Sequence, residues 1–170
     1  PHRATGYAPR GKEFGVEMSD YEQTGDGAVN SSVEDLLLWN NNFYAPKAGD
    51  AALILHEHET AKLSSGEAID YAAGLFVGSY RGVKTVRHGG SWAGYRAELL
   101  RFPEQKVGIA CLCNRTDGAP DHRAEAVLVE AGGGAFRAAS LRAVAGNQDQ
   151  RVGHERAEPA REGEEDARAE

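Results

Sequence analysis

Between Tyr71 and Asn114 the apolar residues recur with a period of two in runs separated by turn residues, rather than with the spacing of a helix. YAAGLFVGSY, the Arg81-Gly82 turn and VKTVRH read as one β-hairpin; RAELLRF, a turn at Pro103 and KVGIACLCN read as a second. Such a pair makes an antiparallel sheet with a face that must be buried, so the rest of the chain has to cover it. The covering elements are legible on either side. In SSVEDLLLWNNNFY, Ser32 stands as a helix N-cap with Asp35 three residues on, a weaker cousin of the capping box. Val33, Leu36, Leu37 and Tyr44 follow at helical spacing, which predicts a helix over 33–44. A shorter helix is expected after Asp50, through AALILHEHE, until LSSGEA breaks it. Pro120 at a first turn, with Ala124, Val127, Leu128 and Ala131 behind it, predicts a closing helix ended by the glycines at 132–134. The expected fold class is α+β, an antiparallel sheet with packed helices.

At 170 residues the chain has room for one domain with a real core. Beyond Arg115 the composition changes: every Lys lies at or before Lys106, and after Phe102 the only aromatic is Phe136. From Ala131 onward Phe136, Leu141, Val144 and Val152 are the only Leu, Ile, Val or Phe residues, too few to offset the cost of ordering a charged segment. A domain is therefore expected over 1–131 and a disordered tail over 132–170. The net charge of -7, with 19 scattered Lys and Arg, argues against a nucleic-acid partner and against an anionic membrane surface, since both need a concentrated basic face. No apolar run is long enough to span a membrane. PHRATGYAPRGKEFGVEM has neither an initiator Met nor an apolar core segment, and reads like the middle of a longer chain.

Three stretches invite a site and read otherwise. HEHE at 56–59 lacks the second His four residues after the first that a helical zinc face requires, and on a helix His56 and His58 point to different sides. The glycines at 132–134 have no Lys after them and no buried strand before them, so they are not a phosphate loop. Cys111 and Cys113, two apart on a strand, lie roughly 6.5–7 Å apart along it, beyond the roughly 3.5–4.5 Å that Cβ atoms of a disulfide need. They are expected as free, buried thiols. No metal or organic cofactor is expected.

HGGSWAGY, from His88 to Tyr95, has a different quality. Glycines at a strand end let another backbone approach closely, as when an extended ligand hydrogen-bonds along a strand edge, and a donor or cation just before them can hold an anionic group. The plainer alternative is a strand end with a glycine turn and a surface histidine. The longer run RHGGSWAGYRAELLRFPEQKVGIACLCNR resembles a motif of the serine β-lactamase and penicillin-binding-protein superfamily, above all class C-like β-lactamases, esterases and D-amino-acid peptidases. There a K-T-G or H-x-G triplet on a strand lining the active site is followed by an aromatic residue, a strand, an FPE turn and an apolar strand ending in Asn. GDGAVNSSVEDLLLWNNNFY is similar to the family's glycine-rich turn and S-x-x-D-L-x-x-W helix, and the likeness covers roughly residues 1 to 120.

The resemblance implies a partial β-lactamase/transpeptidase-like fold and an acyl-enzyme hydrolase acting on a small-molecule or peptide amide or ester. It makes His88, Gly89 and Gly90 the triplet and gives Ser91 the backbone N–H that forms half of an oxyanion hole. Trp92 and Tyr95 become candidates for the substrate border, against the commoner role of packing. The family's nucleophile is the Ser of S-x-x-K, assisted by the Tyr of Y-x-N. In the 170 residues no Ser is followed three later by Lys and no Tyr two later by Asn or Ser. The expectation is a C-terminal fragment, inactive alone, whose partner is the N-terminal remainder of the domain; the alternative is a non-catalytic binding module of the same fold. His88 in place of Lys removes a permanent positive charge, which favours an esterase or peptidase over a penicillinase.

Overall fold

The computed structural model describes residues 3–20, 25, 27–130 and 142–145. The N-terminal strands β1 (Tyr7–Arg10) and β2 (Glu13–Val16) form a small antiparallel hairpin. Two helices follow, α1 (Val33–Asn42) and α2 (Ala51–His56). The main sheet comprises β3 (Phe76–Tyr80), β4 (Val83–Trp92), β5 (Tyr95–Phe102), β6 (Val107–Cys113) and, after α3 (Pro120–Glu130), β7 (Arg142–Ala145), in the spatial order β3-β4-β5-β6-β7. The first four are antiparallel neighbours and β7 runs parallel to β6. The α+β architecture is that of a partial β-lactamase/transpeptidase-like fold.

Local chemistry explains the boundaries. Ser32 accepts a hydrogen bond from the Asp35 amide at 3.1 Å, so α1 begins where the N-cap predicts. It stops at Asn42, short of the expected residue 44, because the buried Asn42 side chain accepts from the Lys47 and Ala48 amides and donates to the Ala48 carbonyl, folding the next residues into a loop. Asp50 caps α2 through the Leu53 amide at 2.8 Å; the helix ends at His56, before the rest of HEHE. The first hairpin strand starts at Phe76 rather than Tyr71. Gly74, at φ +78, turns the AAGL segment back on itself with Ala72 N–H bonded to the Leu75 carbonyl.

Strand alternation gives the sheet two buried faces. On one, Leu100, Phe102, Val107 and Ile109 pack against Ala124 and Val127 of α3. On the other, Ala110 packs with Val33 and Leu37 of α1, flanked by Leu99 and Leu112. Helix α1 lies close on β6: a Cβ on Gly108 would fall 2.6 Å from the amide nitrogen of the fully buried Asn40. Cys111 and Cys113 are free, buried, and share the α3 face with their sulfurs 4.0 Å apart. Within the expected tail, Arg142–Ala145 form strand β7, an element that the composition of the segment did not signal; the rest of 132–170 lies outside the described residues. Among the described residues no helix is long and apolar enough to cross a membrane.

Candidate functional site

The glycines of HGGSW are not at a turn, as the strand-end reading had it. β4 runs through His88, Gly89, Gly90 and Ser91 to Trp92, and the chain reverses at Ala93-Gly94, with Ala93 at φ +43. Both glycines suit close packing against β5: a Cβ on Gly89 would lie 3.1 Å from Glu98 Oε2, and one on Gly90 3.3 Å from the Ala97 Cβ.

The register decides what this strand presents. Two-residue turns join Tyr80 to Val83 and Trp92 to Tyr95, and each flanking pair exchanges backbone bonds. Counting by twos, Trp92, Gly90 and His88 turn their N–H and C=O groups to β5, and Arg87 turns its own to Phe76 of β3. The N–H and C=O groups of Gly89 and Ser91 then point to the side where β3 would continue. β3 begins at Phe76, opposite Arg87, so among the described residues no strand lies beside that edge. Side chains alternate in the other direction: His88 shares the α1 face with its partner Leu99 and with Ala110, whereas Ser91 falls on the α3 face. The His88 ring and the Ser91 hydroxyl therefore lie on opposite faces of the sheet and do not form a Ser-His pair.

His88 sits in a small aromatic cluster. Its Nε2 is 3.0 Å from the Tyr71 hydroxyl, and the Phe76 ring stacks on the imidazole at 5.9 Å between centroids and 23° between planes. Tyr71 meets Phe76 edge-on at 4.6 Å. The tight turn that displaces Tyr71 from the strand is what brings its hydroxyl to His88.

Behind the glycines is an ion-pair network. Arg87 Nε donates to Glu98 Oε1 at 2.7 Å and its terminal nitrogen to Glu125 of α3 at 3.0 Å, joining β4, β5 and α3. Burial pushes the Glu98 carboxyl above its ordinary range; the Arg87 hydrogen bond and charge, and His88 more weakly, pull it back without cancelling that effect.

The N-terminal hairpin docks on the β4–β5 turn. Gly94 N–H bonds to the Glu17 carbonyl at 2.9 Å, and a Cβ on Gly94 would sit 2.4 Å from the Tyr7 nitrogen, so only glycine fits. Tyr95 donates its hydroxyl to the Ala4 carbonyl at 2.6 Å and lies 3.0 Å from Met18 Sδ, tying down this hairpin. Trp92 and Ser91, with Glu17, Met18, Ser19, Asp20 and Ala93, line a shallow open groove there. His56 pairs with Glu59, while His58 faces the Ile54 carbonyl through Nδ1 and the buried Arg101 through Nε2. Among the described residues no cluster of three or more His, Cys, Asp or Glu is placed to hold a metal.

Sequence reasoning missed Tyr71, Phe76, Glu98 and Met18. Glu98 left a trace, as an acid on the same strand face as Leu100 and Phe102; Tyr71 left none, because a Tyr opening an alternating run reads as strand.

A family model described as Beta-lactamase matches residues 1–133. The chain is also 29% identical over 94 residues to penicillin-binding protein 4* of Bacillus subtilis (strain 168), an alignment covering 55% of this chain and 21% of that protein. The chain thus spans about a fifth of the length of the curated relative it matches.

Proposed function

The chain belongs to the beta-lactamase family, and from that premise we propose that it supplies one wall of the acyl-transfer site of a serine hydrolase acting on an amide or ester. The observation that carries this reading is the edge of β4 at Gly89 and Ser91, beside His88, which no strand among the described residues pairs. An extended amide or ester can lie along that edge as an added strand, its backbone donors meeting the Gly89 carbonyl. Ser91 N–H then donates to the substrate carbonyl oxygen and holds the negative charge that develops when a serine attacks the carbonyl carbon. As the tetrahedral intermediate collapses, the bond to the leaving group breaks and an acyl-enzyme remains, which water hydrolyses in the second half of the cycle. His88, held by Tyr71, orients the substrate or passes a proton at its exposed ring. Trp92 borders the substrate from the open groove; Tyr95 acts by holding the hairpin that forms the groove's far side.

The 170 residues contain neither S-x-x-K nor Y-x-N, so the nucleophile and its base would come from polypeptide outside them. The same observation favours a second reading, a non-catalytic module that binds an extended peptide on the same edge. The test compares the 170-residue chain with the whole product of the gene that encodes it, using a nitrophenyl ester, a chromogenic cephalosporin and a fluorophosphonate probe. The hydrolase reading expects no turnover or labelling by the chain and stoichiometric serine labelling of the whole product. Labelling of a serine within the chain would sink the division of roles. A whole product that binds peptide but is never labelled establishes the binding module.

A further inference from the structure

We propose that Tyr71 is a positioning residue for His88: its hydroxyl donates to Nε2 and so fixes the neutral imidazole as the Nδ1–H tautomer. The inference rests on the reading of β4 as a site wall for its functional meaning, and on the geometry of two side chains for its substance. The Tyr71 oxygen and His88 Nε2 are 3.0 Å apart, a hydrogen-bond distance. One of the two must donate. A phenol is a good donor and a poor acceptor, because its lone pair is drawn into the ring. The neutral imidazole offers one bare nitrogen, and Nε2 is the one facing the hydroxyl. With Nε2 occupied as acceptor, the ring proton resides on Nδ1, which becomes the only donor His88 can turn to a substrate.

The surroundings favour a fixed ring. Phe76 stacks on the imidazole and Tyr71 packs edge-on against Phe76, so the three rings restrict one another's rotation. Glu98 interacts electrostatically with this ring from the neighbouring strand but on the opposite face of the sheet, where Arg87 engages it. No other hydrogen-bond partner of the Tyr71 hydroxyl exists among the described residues. A free imidazole side chain prefers the Nε2–H tautomer, so Tyr71 reverses the intrinsic preference. The consequence for the site is a neutral, directional donor in place of the permanent charge a lysine would bring, suited to a carbonyl or other neutral acceptor on the substrate rather than only to an anion.

The measurement needs no catalysis. Uniformly ¹⁵N-labelled chain at pH 8.5 is observed by long-range ¹H–¹⁵N correlation, with His88→Gln identifying the His88 ring signals. The wild-type ring is expected to show a protonated Nδ1 and a bare Nε2. Tyr71→Phe removes only the hydroxyl oxygen and keeps the ring against Phe76, and should return His88 to predominantly Nε2–H; Phe76→Leu leaves the hydrogen bond and should keep Nδ1–H. A wild-type ring that is mainly Nε2–H overturns the proposal, as does a tautomer unchanged by Tyr71→Phe. Neither result bears on whether the parent protein acylates, so this inference and the hydrolase reading fail separately.

Discussion

Arg87 and Glu98 make a pair whose two halves should be unequal when removed. The Glu98 side chain is 5% exposed and that of Arg87 28%, so the carboxylate is the buried partner and the guanidinium its solvent-edge counterion. Replacing Arg87 with Met keeps most of the aliphatic stem and deletes the donor, leaving a buried charge uncompensated. Breaking a buried pair in this way typically costs about 3–5 kcal/mol, and the partial exposure of Arg87 places the expectation near about 3 kcal/mol at pH 7. Glu98→Gln instead keeps an oxygen for Arg87 Nε while removing the charge whose desolvation raises the Glu98 pKa, and should cost under about 1 kcal/mol. The pH dependence follows from the direction of that shift. A carboxyl raised in the folded state holds its proton more tightly there than in the unfolded chain, so its contribution to stability is full at low pH and is lost as pH rises through the folded value. Without Arg87 the folded value rises further; the Arg87→Met penalty should therefore shrink as pH falls from 7 to 4, and Glu98→Gln should gain on wild type as pH rises over the same span. Urea denaturation of the 170-residue chain and both variants at pH 4, 5.5 and 7 measures this. Equal penalties for the two substitutions, or an Arg87→Met penalty that does not change with pH, would refute the assignment of Glu98 as the buried partner.

Ser91→Pro deletes an N–H on the open edge of β4 and, because that group bonds no strand among the described residues, should leave the chain folded; in the whole gene product it should lower kcat by roughly 10²–10³, the usual loss for one oxyanion donor. A Ser91→Ala control, which keeps the N–H, should stay near wild type by the same ester assay. Gly108→Ala should destabilise the chain by about 1–3 kcal/mol in urea melts, since the new methyl meets the buried Asn40 amide at 2.6 Å where α1 crosses β6. Burial, reinforced by the neighbouring Cys113, pushes the Cys111 thiol up to about 12, so a disulfide-exchange reagent at pH 8 should leave it unmodified until the chain unfolds. Its raised value also predicts a loss of stability above about pH 9, as the thiol ionises more readily in the unfolded chain, and Cys111→Ala should flatten that loss.

Much of the architecture was written in local pattern. The N-cap at Ser32, the period-two runs around Arg81-Gly82 and Pro103, and Pro120 opening α3 each depend on residues within a few positions of one another, so a linear reading reaches them. The family motif likewise drew attention to the segment that forms β4, with His88 and the glycines as candidates. What the linear reading could not supply was register and contact between distant segments. Whether β4 continues past His88 depended on Leu99, Glu98 and Ala97 arriving opposite His88, Gly89 and Gly90, and the open edge at Ser91 depended on β3 starting only at Phe76. Tyr71 reaches His88 only because Gly74 turns the chain, and the hairpin holding Gly94 comes from a segment distant in sequence. β7 completes the sheet from a segment whose composition argued against order, because a strand paired along β6 draws backbone hydrogen bonds from the neighbour it finds and needs little apolar surface of its own. Hydrophobic period and turn chemistry are properties of neighbours along the chain, so the sequence by itself determined which segments are strands and helices; pairing, edge exposure and ring contacts are properties of neighbours in space, and only the tertiary structure decided them.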